Sequence, residues 1–537
     1  MLMHRLGKSR HLMGAAFLAL ALCACDEDGS SSAPFPAYQG QEQNPRTVAV
    51  GSSVAFVSQA GGHVDMLSLA GDSPQPQAKR VRLPSLPRTW SVRNEHEELL
   101  LLSDGDQRDG HEDPRPRLTA LAADGSLRNY DVEGHFGRSA QSQDGHWVVL
   151  FSGEEDGWDR VVSNLNQVAL VDLTAPPSED NPRVHTLLGL GGSPRFAEVT
   201  AELDILGEKR RLAVFYSQTY ISIFDLSHPE RAEITVPLGE VSEGGSARPE
   251  QVVYDEQRAA IFVRTSNSPD VYMVGFSEDV DDVSQHDFVL APPNPLPVGS
   301  IPRDIRVYEE SDGTTRLLAL ASQSLAIVEP NSARLSSVRL TAAGDRMLPY
   351  RLVDDDESGP GRLLVYGAAV AASALSFVDL NDLEDRRSRN VSELPLPYAI
   401  SAAAEPLVQG ERVVLQHSRG NEWGQPSNVA VIDLALEAAF PLTLHPISKL
   451  DPSTGQLWVA GQDRVAVVDL PSLSIDEFPL DAYINTMLMP SGSPFVVFDH
   501  GSREGYITLV DRDEPSRAQA LSLRGFFWES ILAGDVK

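Results

Sequence analysis

Several arginine and tyrosine residues follow a proline that precedes a short apolar run, and this pattern recurs along the sequence. The set is Arg88, Arg195, Glu250, Arg303, Tyr350 and Tyr398, with Arg138 near the corresponding place in its own segment. Arginine presents a planar set of N–H donors that matches a carboxylate, and tyrosine adds a stacking face and a hydroxyl. If these residues begin the innermost strands of repeated sheet units, they surround one opening. We therefore predict an anion-binding collar for an acidic peptide, a glycan or a small carboxylate.

A structural role for the same arginines is the alternative. Buried charges need partners, so each arginine can instead pair with an acid of the neighbouring unit. The chain carries 76 acidic against 44 basic residues, for a net charge of −32. This excess is spread along the chain, which is typical of a self-repelling surface and argues against a nucleic-acid partner.

One acidic loop has the composition of a calcium site. Asp104, Asp106 and Asp109 lie within six residues of one another, and two further acids follow. Oxygen-rich loops of this kind suit Ca²⁺, although the spacing departs by one residue from the EF-hand pattern and Arg108 interrupts the acids. A weak calcium site and a solvated acidic loop are the two interpretations.

No motif for catalysis occurs in the sequence. The chain has no Gly-x-Ser-x-Gly, no His-Glu-x-x-His, no phosphate-binding glycine loop and no Cys–His cluster. Its histidines are scattered singly, which is typical of surface or turn residues. We therefore assign no catalytic residue, no firm metal ligand and, calcium aside, no cofactor.

A six-residue strand pattern organises all of these candidates. Residues 465–470 (VAVVDL) represent it, and nine further copies begin at residues 64, 118, 168, 221, 271, 325, 375, 429 and 507. The first seven spacings are 50–54 residues, and the last two are 36 and 42. A period of this size indicates a repeat architecture.

Each repeat unit can be divided into four short strands. In the fourth unit these are residues 195–200, 211–217, 220–226 and 232–238, and no amphipathic helix follows residue 24. Four antiparallel strands per 40–50 residues indicate an all-β fold, a β-propeller with about ten blades. One large ring is the first choice, because no linker separates the units, and two five-bladed rings in tandem are the alternative. Residues 526–532 (FFWESIL) are expected to complete the N-terminal blade.

An aspartate often occupies the fifth position of the strand pattern. The six examples are Asp172, Asp225, Asp379, Asp433, Asp469 and Asp511. A carboxylate at this point can accept bonds from the backbone N–H groups of the next turn. We predict this turn-capping role for them in preference to catalysis.

The N-terminal segment has the pattern of an export signal. Residues 1–10 are basic, and residues 12–24 form an apolar run too short to cross a membrane. The run ends at Leu22-Cys23-Ala24-Cys25, which resembles the lipobox of bacterial lipoproteins. That resemblance implies cleavage before Cys25 and lipid attachment there. We divide the chain into a signal peptide (1–24), a lipidated cysteine with a flexible tether (25–46) and a propeller (47–537).

A second repeat supports a family resemblance. Residues 299–307 (GSIPRDIRV) and 191–199 (GGSPRFAEV) share a Gly, a Pro three residues later and apolar residues at the sixth and eighth steps. This spacing resembles that of the YVTN-type, lactonase-like propellers of bacteria, which have seven blades. The resemblance implies a propeller in an exported protein. It implies no single activity, since such propellers include enzymes and binding proteins.

Two functions follow as expectations. The first is a binding or scaffold module, tethered by lipid in the cell envelope at the outer membrane or periplasmic face, which presents its ring to a protein, peptide or glycan. The second is a lactonase-like hydrolase, which needs acid–base residues at the channel mouth, with or without a divalent metal. The absence of a convergent catalytic set favours the first.

Overall fold

A computed structural model describes residues 46–522 of the chain. It leaves out residues 59–61, 71–76, 94–96, 104–114, 154–163, 189–192, 240–244, 280–286, 310–312, 353–360, 369–371, 381–390, 401–405, 417–427, 444–446, 452, 462–463, 481–482, 501–505 and 516–517. Within the described residues the structure is all β, with 43 strands and no helix. No described element is a helix of the length and apolarity needed to cross a membrane.

The first five blades extend from β1 to β23. Blade 1 contains β1 (Arg46–Val50), β2 (Ser53–Ser58), β3 (His63–Ser68) and β4 (Gln77–Arg82). Blade 2 contains β5 (Thr89–Val92), β6 (Glu98–Ser103), β7 (Arg117–Ala122) and β8 (Leu127–Asp131). Blade 3 contains β9 (Arg138–Gln141), β10 (Trp147–Phe151), β11 (Gln167–Asp172) and β12 (Arg183–Thr186). Blade 4 contains β13 (Phe196–Val199), β16 (Leu212–Tyr216), β17 (Tyr220–Asp225) and β18 (Ile234–Pro237), with an extra hairpin of β14 (Leu203–Ile205) and β15 (Glu208–Arg210). Blade 5 contains β19 (Pro249–Asp255), β20 (Ala260–Thr265), β21 (Asp270–Glu278), β22 (Phe288–Leu290) and β23 (Asn294–Pro297).

The other five blades follow the same order. Blade 6 contains β24 (Asp304–Glu309), β25 (Thr315–Ala321), β26 (Ser324–Glu329) and β27 (Arg334–Arg339). Blade 7 contains β28 (Arg346–Tyr350), β29 (Arg362–Tyr366), β30 (Ala372–Asp379) and β31 (Val391–Ile400). Blade 8 contains β32 (Leu407–Gln409), β33 (Arg412–Gln416), β34 (Asn428–Asp433) and β35 (Ala438–Thr443). Blade 9 contains β36 (Ile447–Asp451), β37 (Gln456–Ala460), β38 (Arg464–Asp469) and β39 (Ser474–Pro479). Blade 10 contains β40 (Thr486–Leu488), β41 (Phe495–Asp499), β42 (Tyr506–Asp511) and β43 (Ala518–Ser522).

The strand pattern of the sequence is the third strand of every blade. Each blade is an antiparallel sheet in which strands pair in chain order, except that β22 and β23 of blade 5 both pair with β21. The second and third main strands of every blade therefore lie in the middle. These central strands are apolar on both faces; β16, for example, is buried along its whole length. The reason is that a blade is packed between two other blades, which cover both faces of its sheet.

Ten apolar clusters show how the blades are arranged. Each cluster lies between one pair of consecutive blades, from blades 1 and 2 through blades 9 and 10. The tenth joins blade 10 to blade 1 and includes Val54, Phe56, Val497 and Leu509. At the same seam the hydroxyl of Thr47 donates to the Asp499 carboxylate at 2.9 Å. The chain is therefore one ten-bladed propeller, and the tandem alternative is wrong.

The ring closes by packing between whole blade faces. Blade 1 has all four of its strands between residues 46 and 82, and its sheet lies against that of blade 10. Residues 526–532, which we expected to complete blade 1, lie outside the described residues.

The turn-capping prediction is confirmed at five of the six aspartates. Asp172 accepts the N–H of Thr174 at 2.8 Å, Asp225 that of Ser227 at 2.9 Å and Asp469 that of Ser472 at 2.9 Å. Asp433 and Asp511 cap the following turns in the same way. A short side chain with two acceptor oxygens satisfies the N–H groups that the strand ladder leaves open at these turns.

Candidate functional site

The first strands of neighbouring blades begin at the same end of the ring, which we call the junction face. Contacts between these starting points establish the alignment. A guanidinium nitrogen of Arg138 in blade 3 donates to the carbonyl of Arg195 in blade 4 at 3.2 Å. Arg195 in turn donates to the carbonyl of Pro249 in blade 5 at 2.7 Å.

The structure places four of the predicted collar arginines at the starts of first strands. Arg138 is the first residue of β9. The backbone N–H groups of Arg88, Arg195 and Arg303 donate to carbonyls at the C-terminal ends of the adjacent second strands, at 2.8, 2.8 and 2.6 Å. The proline and glycine that precede these residues mark the blade junctions, as the sequence pattern indicated.

The two tyrosines lie elsewhere, so their predicted positions are wrong. Tyr350 is the last residue of β28, and its innermost strand begins at Arg346. Pro349 is a residue of β28. Proline has no N–H to donate, but an innermost strand tolerates it because one edge of that strand pairs with no other strand. Tyr398 belongs to β31, the outermost strand of blade 7. In both cases the proline lies in an edge strand and not in a blade junction.

Two of the four collar arginines, Arg138 and Arg195, tie one blade to the next through the bonds above. Two arginines outside the predicted collar make similar contacts: Arg264 of β20 donates to the carbonyl of Pro302 at 3.3 Å, and Arg346 donates to that of Arg303 at 3.3 Å. The acceptors in these contacts are backbone carbonyls, whereas the structural alternative predicted acidic side chains of the neighbouring blade. Gly153, at φ +79°, leaves room for one such arginine, because a Cβ there would lie 2.6 Å from Nε of Arg138.

A cavity of about 620 Å³ opens on the junction face between blades 5 and 6. Its lining comes from Glu250, Arg264 and Ser266 of blade 5, from residues 300–303 of the connection, and from residues 321–324 of blade 6. Two of these residues, Glu250 and Arg303, belong to the predicted collar. The sequence pattern therefore indicated part of this pocket, but it gave no sign of Arg264, which lies on a second strand.

A buried polar network forms the floor of the pocket. Arg264 donates to Glu250 at 3.1 Å and to the side-chain oxygen of Gln251 at 3.0 Å. Gln251 donates to the buried Asp304 carboxylate of blade 6 at 2.8 Å. Burial lowers the pKa of the Arg264 guanidinium, and the nearby Glu250 opposes that shift. The charge of Arg264 is thus already matched within the protein.

Arg303 differs from Arg138, Arg195, Arg264 and Arg346 of this face. Its side chain is half-buried at the pocket, and its guanidinium has no hydrogen-bond or ion-pair partner among the described residues. The hydroxyls of Ser266, Ser300 and Ser322 lie in the same lining. A cation without a protein partner beside several hydroxyl donors is an arrangement that can bind an anion.

A carboxyl group with a shifted pKa lies in the channel wall of blade 4. Glu198 on β13 accepts a hydrogen bond from the hydroxyl of Tyr216 at 2.5 Å, and Phe196 stacks on the Tyr216 ring at 4.1 Å between centroids. Burial raises the pKa of Glu198 to about 7, and the Tyr216 hydrogen bond only partly opposes this. The hydroxyl of Tyr254 is buried nearby and has no hydrogen-bond partner among the described residues, and burial, with a smaller effect of the Glu198 charge, raises its pKa. In the sequence, the only sign of Glu198 was an acidic residue between apolar neighbours in a first strand.

Metal binding finds no support in the described part of the chain. No group of three or more His, Cys, Asp or Glu side chains there is arranged to hold a metal ion. The acidic loop with Asp104, Asp106 and Asp109 lies outside the described residues.

Comparisons with known proteins give no family, ligand or activity for this chain. No protein-family model matches the chain, and no curated protein matches it. Among solved structures, the dihydro-heme d1 dehydrogenase NirN in complex with DHE is similar at 14% identity, over 74% of this chain and 76% of that one, with a TM-score of 0.43. Apo AztD from Citrobacter koseri is similar at 12% identity, over 66% and 87%, with a TM-score of 0.32. A protein of unknown function from Desulfotomaculum acetoxidans DSM 771 is similar at 11% identity, over 63% and 98%, with a TM-score of 0.29. At these values the similarities indicate neither a ligand nor an activity for this chain.

The arginines of the junction face should separate into two classes by stability. Arg195→Ala removes the bond to the Pro249 carbonyl and the packing of the guanidinium on Phe196, so we expect unfolding to become easier by about 1–3 kcal/mol. Arg303→Ala should change the free energy of unfolding by less than about 0.5 kcal/mol. Denaturant titration of both variants measures this, and equal losses would contradict the distinction.

Glu198 should make the stability of the ring depend on pH. Between its ordinary value of 4.5 and its folded pKa of about 7, the folded state holds a proton that the unfolded chain releases, so rising pH destabilises the fold. Above pH 7 this penalty is complete, at up to about 3 kcal/mol. Glu198→Gln should therefore melt like the parent at pH 4.5 and at a higher temperature at pH 8.5. A variant that gives no gain at pH 8.5 would show that Glu198 ionises normally.

Proposed function

We propose that this chain is a non-catalytic binding protein that captures a carboxylate-bearing peptide or glycan in the pocket between blades 5 and 6. The observation that carries the proposal is the Arg303 guanidinium, which is half-buried at the pocket and has no partner among the residues that the structure describes. Acidic residues outnumber basic ones by 76 to 44 in this chain, so such a cation in a concave site is a local reversal of sign.

The rest of the lining fits the same ligand class. Arg264 and Glu250 hold each other in place, and this pair makes the floor rigid without using Arg303. Hydroxyls and the Gln323 amide supply neutral donors and acceptors, and Ile301, which is 48% exposed, supplies an apolar contact. The volume lies within the usual range for a small-molecule or short-chain site, about 300–1,000 Å³.

Binding of fluorescent hexaglutamate and of a fluorescent galacturonate oligomer tests this proposal. We expect at least one probe to bind with an affinity that falls as salt is added. Arg303→Ala should weaken that binding about tenfold, because bonds to charged groups contribute about 1.5–3 kcal/mol. Arg339→Ala is the matched control, since it removes the same charge from the exposed outer strand of the same blade. Equal affinities of the two variants, or turnover in a lactone and ester hydrolysis screen, would contradict the proposal.

Attachment to a membrane through Cys25 completes the proposed role. Its support is the sequence alone: the basic start, the short apolar run, the lipobox-like Leu22–Cys25 and the absence of any later cysteine. Several acyl chains anchor a protein stably where one chain does not. The ring would then be held at the outer membrane or the periplasmic face of the envelope.

Lipidation predicts a simple change on substitution. Cys25→Ala should leave either an unprocessed precursor or a species that no longer partitions into detergent, and Cys23→Ala is the matched control. Phase partitioning and the mass of the mature N-terminus measure the outcome. Normal maturation and partitioning of the Cys25 variant would show that the lipobox interpretation is wrong.

A further inference from the structure

A second cavity lies in the wall of the central channel, in a different part of the ring from the pocket between blades 5 and 6. It measures about 830 Å³. The innermost strands of four consecutive blades contribute to its lining: β36 of blade 9, β40 of blade 10, β1 of blade 1 and β5 of blade 2. The cavity spans the seam at which the ring closes.

Lys449 brings an uncompensated cation into this cavity. It lies in the middle of β36, opposite Trp458 in the strand register, and its side chain is exposed to the channel. Its ammonium group has no hydrogen bond or ion pair among the described residues. Although it is exposed, the surrounding wall excludes enough solvent to lower its pKa, and no charged neighbour contributes to the shift.

The other charged residues of the lining do not neutralise Lys449. Arg93 is bound to Glu98 at 2.5 Å and to the carbonyl of Gly145 at 2.6 Å, so its charge is matched. Glu97 lies against Gly51, where a Cβ would meet its carboxylate oxygen at 2.7 Å. Arg93 and Glu97 follow the last residue of β5, whereas Asn485 precedes the first residue of β40. Arg93 and Glu97 are therefore at one end of the first strands and Asn485 is at the other, and Lys449 lies between these two ends.

The remaining lining is divided between apolar and polar groups. Val48, Val92 and Met489 offer apolar surface, and Val92 is 39% exposed. Asn485, Thr486 and Ser491 are polar. A ligand complementary to this lining needs one negative group to pair with Lys449 and an apolar body to contact the wall. A small anion alone would leave the apolar surface of the cavity exposed to water.

We infer that the channel holds a second ligand site, in which Lys449 binds the head group of an amphiphilic organic carboxylate whose apolar body lies against β1, β5 and β40. This site is independent of Arg303 and of the proposed function. Its size is near the upper end of the range for ligand cavities, which suits a ligand with a medium-length chain or a fused ring system.

Competition binding on the full mature chain tests the site. The probes are decanoate and its neutral analogue decanol, each measured by displacement of 1-anilinonaphthalene-8-sulfonate. We expect decanoate to bind at least tenfold more tightly than decanol, and Lys449→Gln should remove that preference. Lys449→Arg should keep it. Lys209→Gln, on the exposed hairpin of blade 4, is the matched control and should bind like the parent.

Two further measurements locate the ligand. Val92→Trp should weaken binding of both probes by filling the cavity without a change of charge, and Arg303→Ala should have no effect. Melting curves confirm that each variant is folded. The inference is overturned if decanoate and decanol bind equally, if neither binds, if Lys449→Gln keeps the preference, or if Arg303→Ala removes it.

Discussion

Apolar packing between the faces of neighbouring blades is the interaction on which this structure depends. Each blade is a sheet of four short strands that is too small to bury its own surface, and its two central strands are apolar on both faces. Ten such interfaces in a closed cycle cover every central strand, including those at the seam between blades 10 and 1. Truncating one large side chain in such an interface costs about 2–5 kcal/mol, so blade order and ring closure are strongly determined.

This packing decides where polar chemistry can occur. Because the blade interfaces are mainly apolar, the charged groups of both proposed sites lie at a strand end or in the channel wall. At the junction face Arg138, Arg195 and Arg264 bond to carbonyls of the next blade or of the connection to it, so they act as polar ties around the inner edge of the ring. The two binding proposals rest on Arg303 and Lys449, neither of which has a partner in the described structure. Glu198 adds a group in the channel wall that ionises near neutral pH.

The fold could be predicted because its signal repeats. Ten copies of one strand pattern, six of them with an aspartate at the fifth position, indicate the blades even when single copies are ambiguous. The candidate sites were harder to predict from the sequence. Proline marked the blade junction before Arg195 and Arg303, but it also occurs in the edge strands that contain Tyr350 and Tyr398, so the same sign had two structural meanings. Arg264 and Lys449 gave no local signal, since their roles depend on neighbours that are distant in sequence.

The most direct measurement of the central claim is a cross-link across the seam. In a chain with Cys23→Ser and Cys25→Ser, no other cysteine is present, so Thr47→Cys with Asp499→Cys gives one pair of thiols. These two positions are joined by a 2.9 Å side-chain hydrogen bond, and a short thiol cross-linker should connect them and change the mobility of the denatured chain. Thr47→Cys with Thr265→Cys is the control, because Thr265 ends the second strand of blade 5 as Asp499 ends that of blade 10. A single ten-bladed ring predicts the 47–499 product alone. A 47–265 product without the 47–499 product would contradict it.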